Sequence, residues 1–148
     1  MGWFFKKRTG NASKQQSREY KDIDYALARV LLERHISHQK PLTYSECAAI
    51  LTEKLGRPIH AHGSLRMPLY HVAGLCNELD LPFLSTLVTL KYQPKNVQAG
   101  EGFYKMACEY RPEYSCMEPA DVWETERQRL MNCKDWSRLD LYLKRVGW

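Results

Sequence analysis

Long apolar runs are missing from this 148-residue chain. Stretches such as Leu87-Val88-Thr89-Leu90 fall far short of the roughly 20 apolar residues that cross a bilayer, so no transmembrane helix is expected. The start of the chain, Met1-Gly2-Trp3-Phe4-Phe5-Lys6-Lys7-Arg8, places its apolar part before its charges, the reverse of a secretory signal. Gly2 invites myristoylation, but Lys6 stands where that signal needs Ser or Thr. C-x-x-C pairs are absent. The five cysteines, Cys47, Cys76, Cys108, Cys116 and Cys133, are odd in number and irregular in spacing. That argues against a disulfide framework and for reduced thiols in the cytoplasm. There is no HNH signature, P-loop, serine-centred elbow or paired-carboxylate metal motif, and no internal repeat.

What is present is one domain's worth of chain, long enough for one sizeable core. Residues 1–18 contain Lys6, Lys7, Arg8, Lys14 and Arg18 and no acid, which leaves 17 of the 22 basic residues to face 17 acidic ones. The whole net charge of +5 therefore sits in the first segment. The polar run Thr9 to Ser17 has no periodicity and too little apolar surface to offset its ordering entropy. Residues 1–18 are expected to be a flexible basic arm, and 19–148 the folded domain. Such an arm gains phosphate contacts by releasing counterions and carries little sequence information. Trp3, Phe4 and Phe5 need a surface to cover them: the protein's own core, a base stack, a membrane interface or a partner protein.

Apolar spacing predicts a first helix from about Tyr20 to Ser37, with Ile23, Leu27, Val30 and Leu31 on one stripe. Thr43 and Glu46 form a capping box before a second helix, whose apolar face holds Ala48, Ile50, Leu51 and Leu55. Gly56 caps its end and Arg57-Pro58 stops it. A third helix is expected from Ser64 as N-cap, with Leu65, Leu69, Val72, Cys76 and Leu79 inward. Arg66, Met67, Tyr70, His71, Gly74 and Asn77 then fall on the other side. Leu84 to Lys91 is β-branched and reads as a strand. Phe103 to Ala107 reads as a returning strand or a helix start. A last helix runs from about Asp121 to Met131. Trp136, Leu139, Leu141, Tyr142, Leu143 and Trp148 make an apolar tail that docks on the domain.

This order of helix, helix, turn, helix, strand and loop is that of a winged helix–turn–helix, whose third helix lies in the major groove. Arg66, Tyr70, His71 and Asn77 are residue types that contact phosphates or base edges. His60, His62, His71 and Cys76 offer metal ligands, but their spacing fits no standard zinc pattern, so no metal and no cofactor are expected. The same histidines, His60, His62 and His71, together with Arg66, also suit general acid–base cleavage of RNA.

Thr43-Tyr44-Ser45-Glu46-Cys47-Ala48 resembles the T-Y-x-E-[LV]-A opening of the helix–turn–helix in alkyltransferase-like DNA repair proteins. Met67-Pro68-Leu69-Tyr70-His71-Val72-Ala73-Gly74 resembles their P-C-H-R-V-V-G run, with Leu69 in place of the nucleophilic cysteine, which excludes alkyl transfer. A resemblance over roughly residues 42–140 rests on Leu81-Pro82-Phe83-Leu84-Ser85-Thr86-Leu87-Val88-Thr89-Leu90-Lys91, Gly100-Glu101-Gly102-Phe103 and Lys134-Asp135-Trp136-Ser137. These look like a small bacterial winged-helix-like domain found alone or beside HNH endonuclease modules. That resemblance implies a nucleic-acid context in defence systems and mobile elements, and its motifs are structural, with no catalytic residue to carry over.

The expectation is an α+β, mainly helical, winged helix–turn–helix-like domain with a small strand pair as the wing. Its leading function is binding of nucleic acid, DNA before RNA, in bacterial defence or on a mobile element. The alternatives are a small metal-independent RNase-type toxin, and a protein-interaction adaptor or inhibitor that docks through Trp3, Phe4 and Phe5.

Overall fold

The computed structural model describes residues 20–90 and 101–148. The first helix, α1 (Asp22–Ile36), carries Asp22 and Asp24 in its first turn and Arg34 and His35 in its last, as the helix dipole favours. Ala26, Leu27, Ala28, Leu31 and Leu32 are fully buried. The buried face is thus wider than the four-residue stripe expected, because alanines on either side of Leu27 let neighbours approach closely.

Strand β1 (Leu42–Thr43) leads directly into α2 (Tyr44–Leu55). The capping box forms as the sequence indicates. Thr43 Oγ1 accepts the Glu46 N–H at 3.2 Å, and Glu46 Oε1 accepts the Thr43 N–H at 2.9 Å. Gly56 then adopts φ +70°, a left-handed conformation that costs glycine little. Beyond it, Thr52 Oγ1 accepts the Ile59 N–H at 2.9 Å, which holds the following connection against α2.

Helix α3 (Arg66–Glu78) has Leu65, not Ser64, at its N-cap. Five consecutive residues, Val72 to Cys76, are buried. A helix buried all round belongs in the middle of a core, and α3 packs against α1, against the short 3-10 helix that follows it and against α4.

The segment expected as a strand from Leu84 to Lys91 is mostly something else. Leu84–Leu87 is a 3-10 helix, and only Val88–Thr89 (β2) is extended. Side-chain hydrogen bonds to the backbone, one local and one to a carbonyl 16 residues away, override the β-branched composition. Thr86 Oγ1 donates to the Phe83 carbonyl at 2.7 Å and Ser85 Oγ to the Leu69 carbonyl at 2.6 Å, giving the backbone a turn in place of a ladder. Lys91 lies outside the described residues.

Phe103 to Ala107 lies within a helix, α4 (Glu101–Tyr110), whose inner side holds Phe103, Met106 and Ala107. The expected wing is therefore corrected. The strand pair is parallel, β1 with β2, with Leu42 opposite Val88 and Thr43 opposite Thr89. A second 3-10 helix (Pro112–Cys116) leads to α5 (Pro119–Asn132) and α6 (Ser137–Arg145). Val122, Trp123, Glu126 and Leu130 form the buried side of α5.

The C-terminal tail docks as expected, through Trp136, Leu139 and Leu143, while Leu141 points outward and is 59% exposed. Arg29 of α1 clamps it, donating to the Trp148 carbonyl at 2.8 Å and to Asp140 at 2.7 Å. The described residues thus form a mainly helical domain of six α-helices and one two-stranded sheet around a single core. Among them, no helix is long and apolar enough to cross a membrane.

Candidate nucleic-acid interface

Among the described residues, one exposed basic stretch is the connection between α2 and α3, with the helix ends that flank it. Lys54, Arg57, His60, His62 and Arg66 are all exposed there. From Lys54 to Asn77 the chain holds no acidic residue, and the first turn of α3 has none to offset the positive end of its dipole.

Arg57 has a role that its position beside a helix-stopping proline does not suggest. Its Nη1 and Nη2 each lie 2.8 Å from one oxygen of Asp22, in a two-pronged pair. That pairing, chiefly its hydrogen bonding, holds the Asp22 carboxyl below its ordinary range. Both side chains are about half exposed, so the pair adds little stability. It marks where the N-terminal end of α1, with Tyr20 just before it, lies beside the basic connection.

The residues expected on the outer face of α3 divide into two groups. Arg66 is exposed at the first turn. Tyr70, His71 and Asn77 are more than half buried, and the first two are engaged within the domain. The Tyr70 hydroxyl donates to Glu109 of α4, and its ring lies 5.4 Å from that of Tyr110. His71 Nδ1 lies 3.1 Å from Asp24 Oδ2. Asp24 is buried and also accepts the Lys21 N–H at 2.8 Å, so one carboxylate caps α1 and anchors α3 to it.

His71 is therefore turned toward α1. Among the described residues, no hydrogen bond or ring contact joins it to His60 or His62. No group of three His, Cys, Asp or Glu among them is placed to hold a metal ion. Lys6, Lys7, Arg8, Lys14, Arg18, Trp3, Phe4 and Phe5 lie outside the described residues. The acid-free run from Lys54 to Asn77 is a signal that the sequence does carry for this face. The Arg57–Asp22 pair, 35 residues apart, has no such local signal. Comparisons with protein-family models, with curated proteins and with solved structures each find no match.

Proposed function

We propose that this chain is a nucleic-acid-binding module, with DNA as its ligand. It grips the phosphate backbone through the α2–α3 connection, the first turn of α3 and the basic residues that precede Tyr20. One observation supports the reading: the Arg57–Asp22 pair sets the start of α1, with Tyr20 just before it, against an exposed connection whose own residues include no acid. The order helix, strand, helix, helix, strand supports a helix–turn–helix built from α2 and α3. With Tyr70 and His71 held by Glu109 and Asp24, contacts to phosphates are favoured over reading of base edges. Bacterial defence or a mobile element is the setting that the family resemblance supplies.

The test is binding to duplex DNA across a salt series. The slope of log affinity against log salt changes by about 0.9 for each phosphate contact on duplex DNA. Arg66→Ala should lower the slope by about that amount and weaken all sequences equally. Replacing Lys6, Lys7, Arg8, Lys14 and Arg18 with Gln should lower it several-fold more. Salt-independent binding, or none to any nucleic acid, overturns the proposal.

A second reading, a metal-independent RNase, is favoured by the Asp24–His71 pair alone. A carboxylate on Nδ1 orients an imidazole and leaves Nε2 for proton transfer. RNA cleavage in chelator that falls by about 10²–10⁴ in His71→Ala, with affinity retained, would establish it. The same assay on His60→Ala and His62→Ala shows whether the connection takes part.

A further inference from the structure

Tyr104 and Cys108 stand one turn apart on the same face of α4. Were that helix to continue, Met117 would lie about 20 Å beyond Tyr104, at roughly 1.5 Å per residue. Instead the chain turns back. The Arg111 N–H closes the last turn on the Ala107 carbonyl at 2.8 Å. The Tyr114 N–H then donates to the Arg111 carbonyl at 3.0 Å, and the Met117 N–H to the Tyr114 carbonyl at 3.0 Å. This second 3-10 helix packs against α4, and the Tyr104 hydroxyl donates to the Met117 carbonyl at 3.3 Å. Cys116, the residue before Met117, is thereby carried back to the turn that holds Cys108.

Both thiols lie near that hydroxyl. Hydrogen bonding with Cys108 first, then burial, then the charges of Cys108, Glu118 and Cys116 hold the Tyr104 phenol above its ordinary value. The two cysteines differ in access. Cys116 is exposed and Cys108 is partly buried, whereas Cys47 and Cys76 are buried. Cys133 faces its own loop, with Sγ 3.8 Å from the Asp135 carbonyl. An exposed thiol that meets an oxidant first, beside a shielded thiol that attacks second, is the arrangement of a redox-responsive pair.

We propose that Cys108 and Cys116 are such a pair, joined when the chain meets a small-molecule disulfide such as oxidised glutathione. The Cys116 thiolate attacks one sulfur of the glutathione disulfide. A Cys116–glutathione bond forms, and one glutathione leaves as its thiolate. The Cys108 thiolate then attacks Cys116 Sγ, the Cys108–Cys116 bond forms, and the second glutathione leaves. Two cysteine thiols are oxidised, one glutathione disulfide is reduced, and the two cysteine protons end on the departing sulfurs. Excess thiol runs the exchange backwards, as befits the transient, sensing disulfides of reducing compartments. The new bond spans Arg111 and Tyr114, both of which face the buried Glu126 carboxylate, so oxidation braces the segment around it. The exchange needs no nucleic acid and is independent of the binding function proposed above.

The reduced, folded full chain is treated with oxidised glutathione, quenched in acid and mapped by mass spectrometry without reduction. The parent should yield a Cys108–Cys116 link within one molecule, undone by excess dithiothreitol. Cys108→Ser should stop at glutathione on Cys116. The linked parent should melt roughly 5–10 °C above the reduced chain, the effect of closing the nine-residue loop from Cys108 to Cys116 in a chain of this size. Glutathione that persists on Cys116 of the parent would overturn the proposal. So would a link from Cys116 to Cys133 or to a second molecule, or a link that forms only in urea. A linked chain that melts below the reduced one would also overturn it, because the folded arrangement would then oppose the bond.

Discussion

Removing the Glu126 carboxylate should cost the fold more than any other single-residue change in α5. Glu126 is 0% exposed. Its Oε2 accepts the Phe83 N–H at 2.8 Å, and its Oε1 accepts the Tyr114 hydroxyl at 2.5 Å and Arg129 Nη1 at 2.7 Å. Arg111 Nε stands 3.7 Å from Oε1, close enough for charge attraction but too far for a hydrogen bond. The Arg111 guanidinium also lies 4.7 Å over the Phe83 ring and donates to the Leu81 carbonyl at 3.1 Å. One carboxylate therefore ties α5 to both 3-10 helices and to the end of α4.

Glu126→Ala leaves a buried guanidinium, a backbone N–H and a phenol facing a void. Breaking a buried pair in this way costs about 3–5 kcal/mol. Arg129 is partly exposed, so water compensates its share, and the loss comes mainly from Arg111, Phe83 and Tyr114. Glu126→Gln keeps the shape and one acceptor but loses the charge, and should cost about 1.5–3 kcal/mol, the worth of a hydrogen bond to a charged group. Urea unfolding measures both. In a thermal melt the alanine variant should fall by about 6–20 °C, at roughly 2–4 °C per kcal/mol for a chain of this size. An alanine variant within about 1 kcal/mol of the parent would refute the reasoning, because the carboxylate would then behave as a surface group.

Thr43→Ala removes the acceptor at the start of α2 and should cost about 0.5–2 kcal/mol in the same urea assay; a neutral result would mean that the Glu46 half of the box suffices. Burial pushes the Cys47 and Cys76 thiols up to about 12, so a thiol reagent at pH 8 should label exposed Cys116 quickly and those two only as fast as the chain unfolds. Equal labelling rates would contradict their burial. Burial first, and the bond to Glu126 second, raise Tyr114 to about 12. Between pH 10 and 12 the unfolded chain has released protons that folded Tyr114, Cys47 and Cys76 retain, so stability should fall as pH rises. Urea midpoints at pH 8, 10 and 11 test this, and Tyr114→Phe should flatten the decline above pH 10; an unchanged midpoint across the series would count against it.

The second helix was legible from the sequence alone because everything that bounds it is local. Thr43, Glu46 and Gly56 act within one turn of their own backbone, so no distant partner alters their effect. The first helix, the helix from about Asp121 to Met131 and the docking of Trp136, Leu139 and Leu143 were legible for a similar reason, since apolar spacing names the inward face before a neighbour is known; that the docking tail is itself a helix, α6, was not read from the sequence. Leu84 to Leu87 was not legible, because a hydroxyl that bonds a carbonyl 16 residues away leaves no mark in the local pattern.

The third helix shows the same division. Its existence follows from spacing, but its place in the middle of the core depends on α1 and α4 covering both sides. That covering turned His71 toward Asp24 and Tyr70 toward Glu109. The pairing of β1 with β2 across 46 residues, the charge hub at Glu126 and the Arg57–Asp22 pair were likewise decided only in three dimensions. Charge composition alone located the cations at residues 1–18 and left the run from Lys54 to Asn77 without acids. Only packing set the start of α1 beside that run, because proximity between segments far apart in sequence depends on every element folded between them.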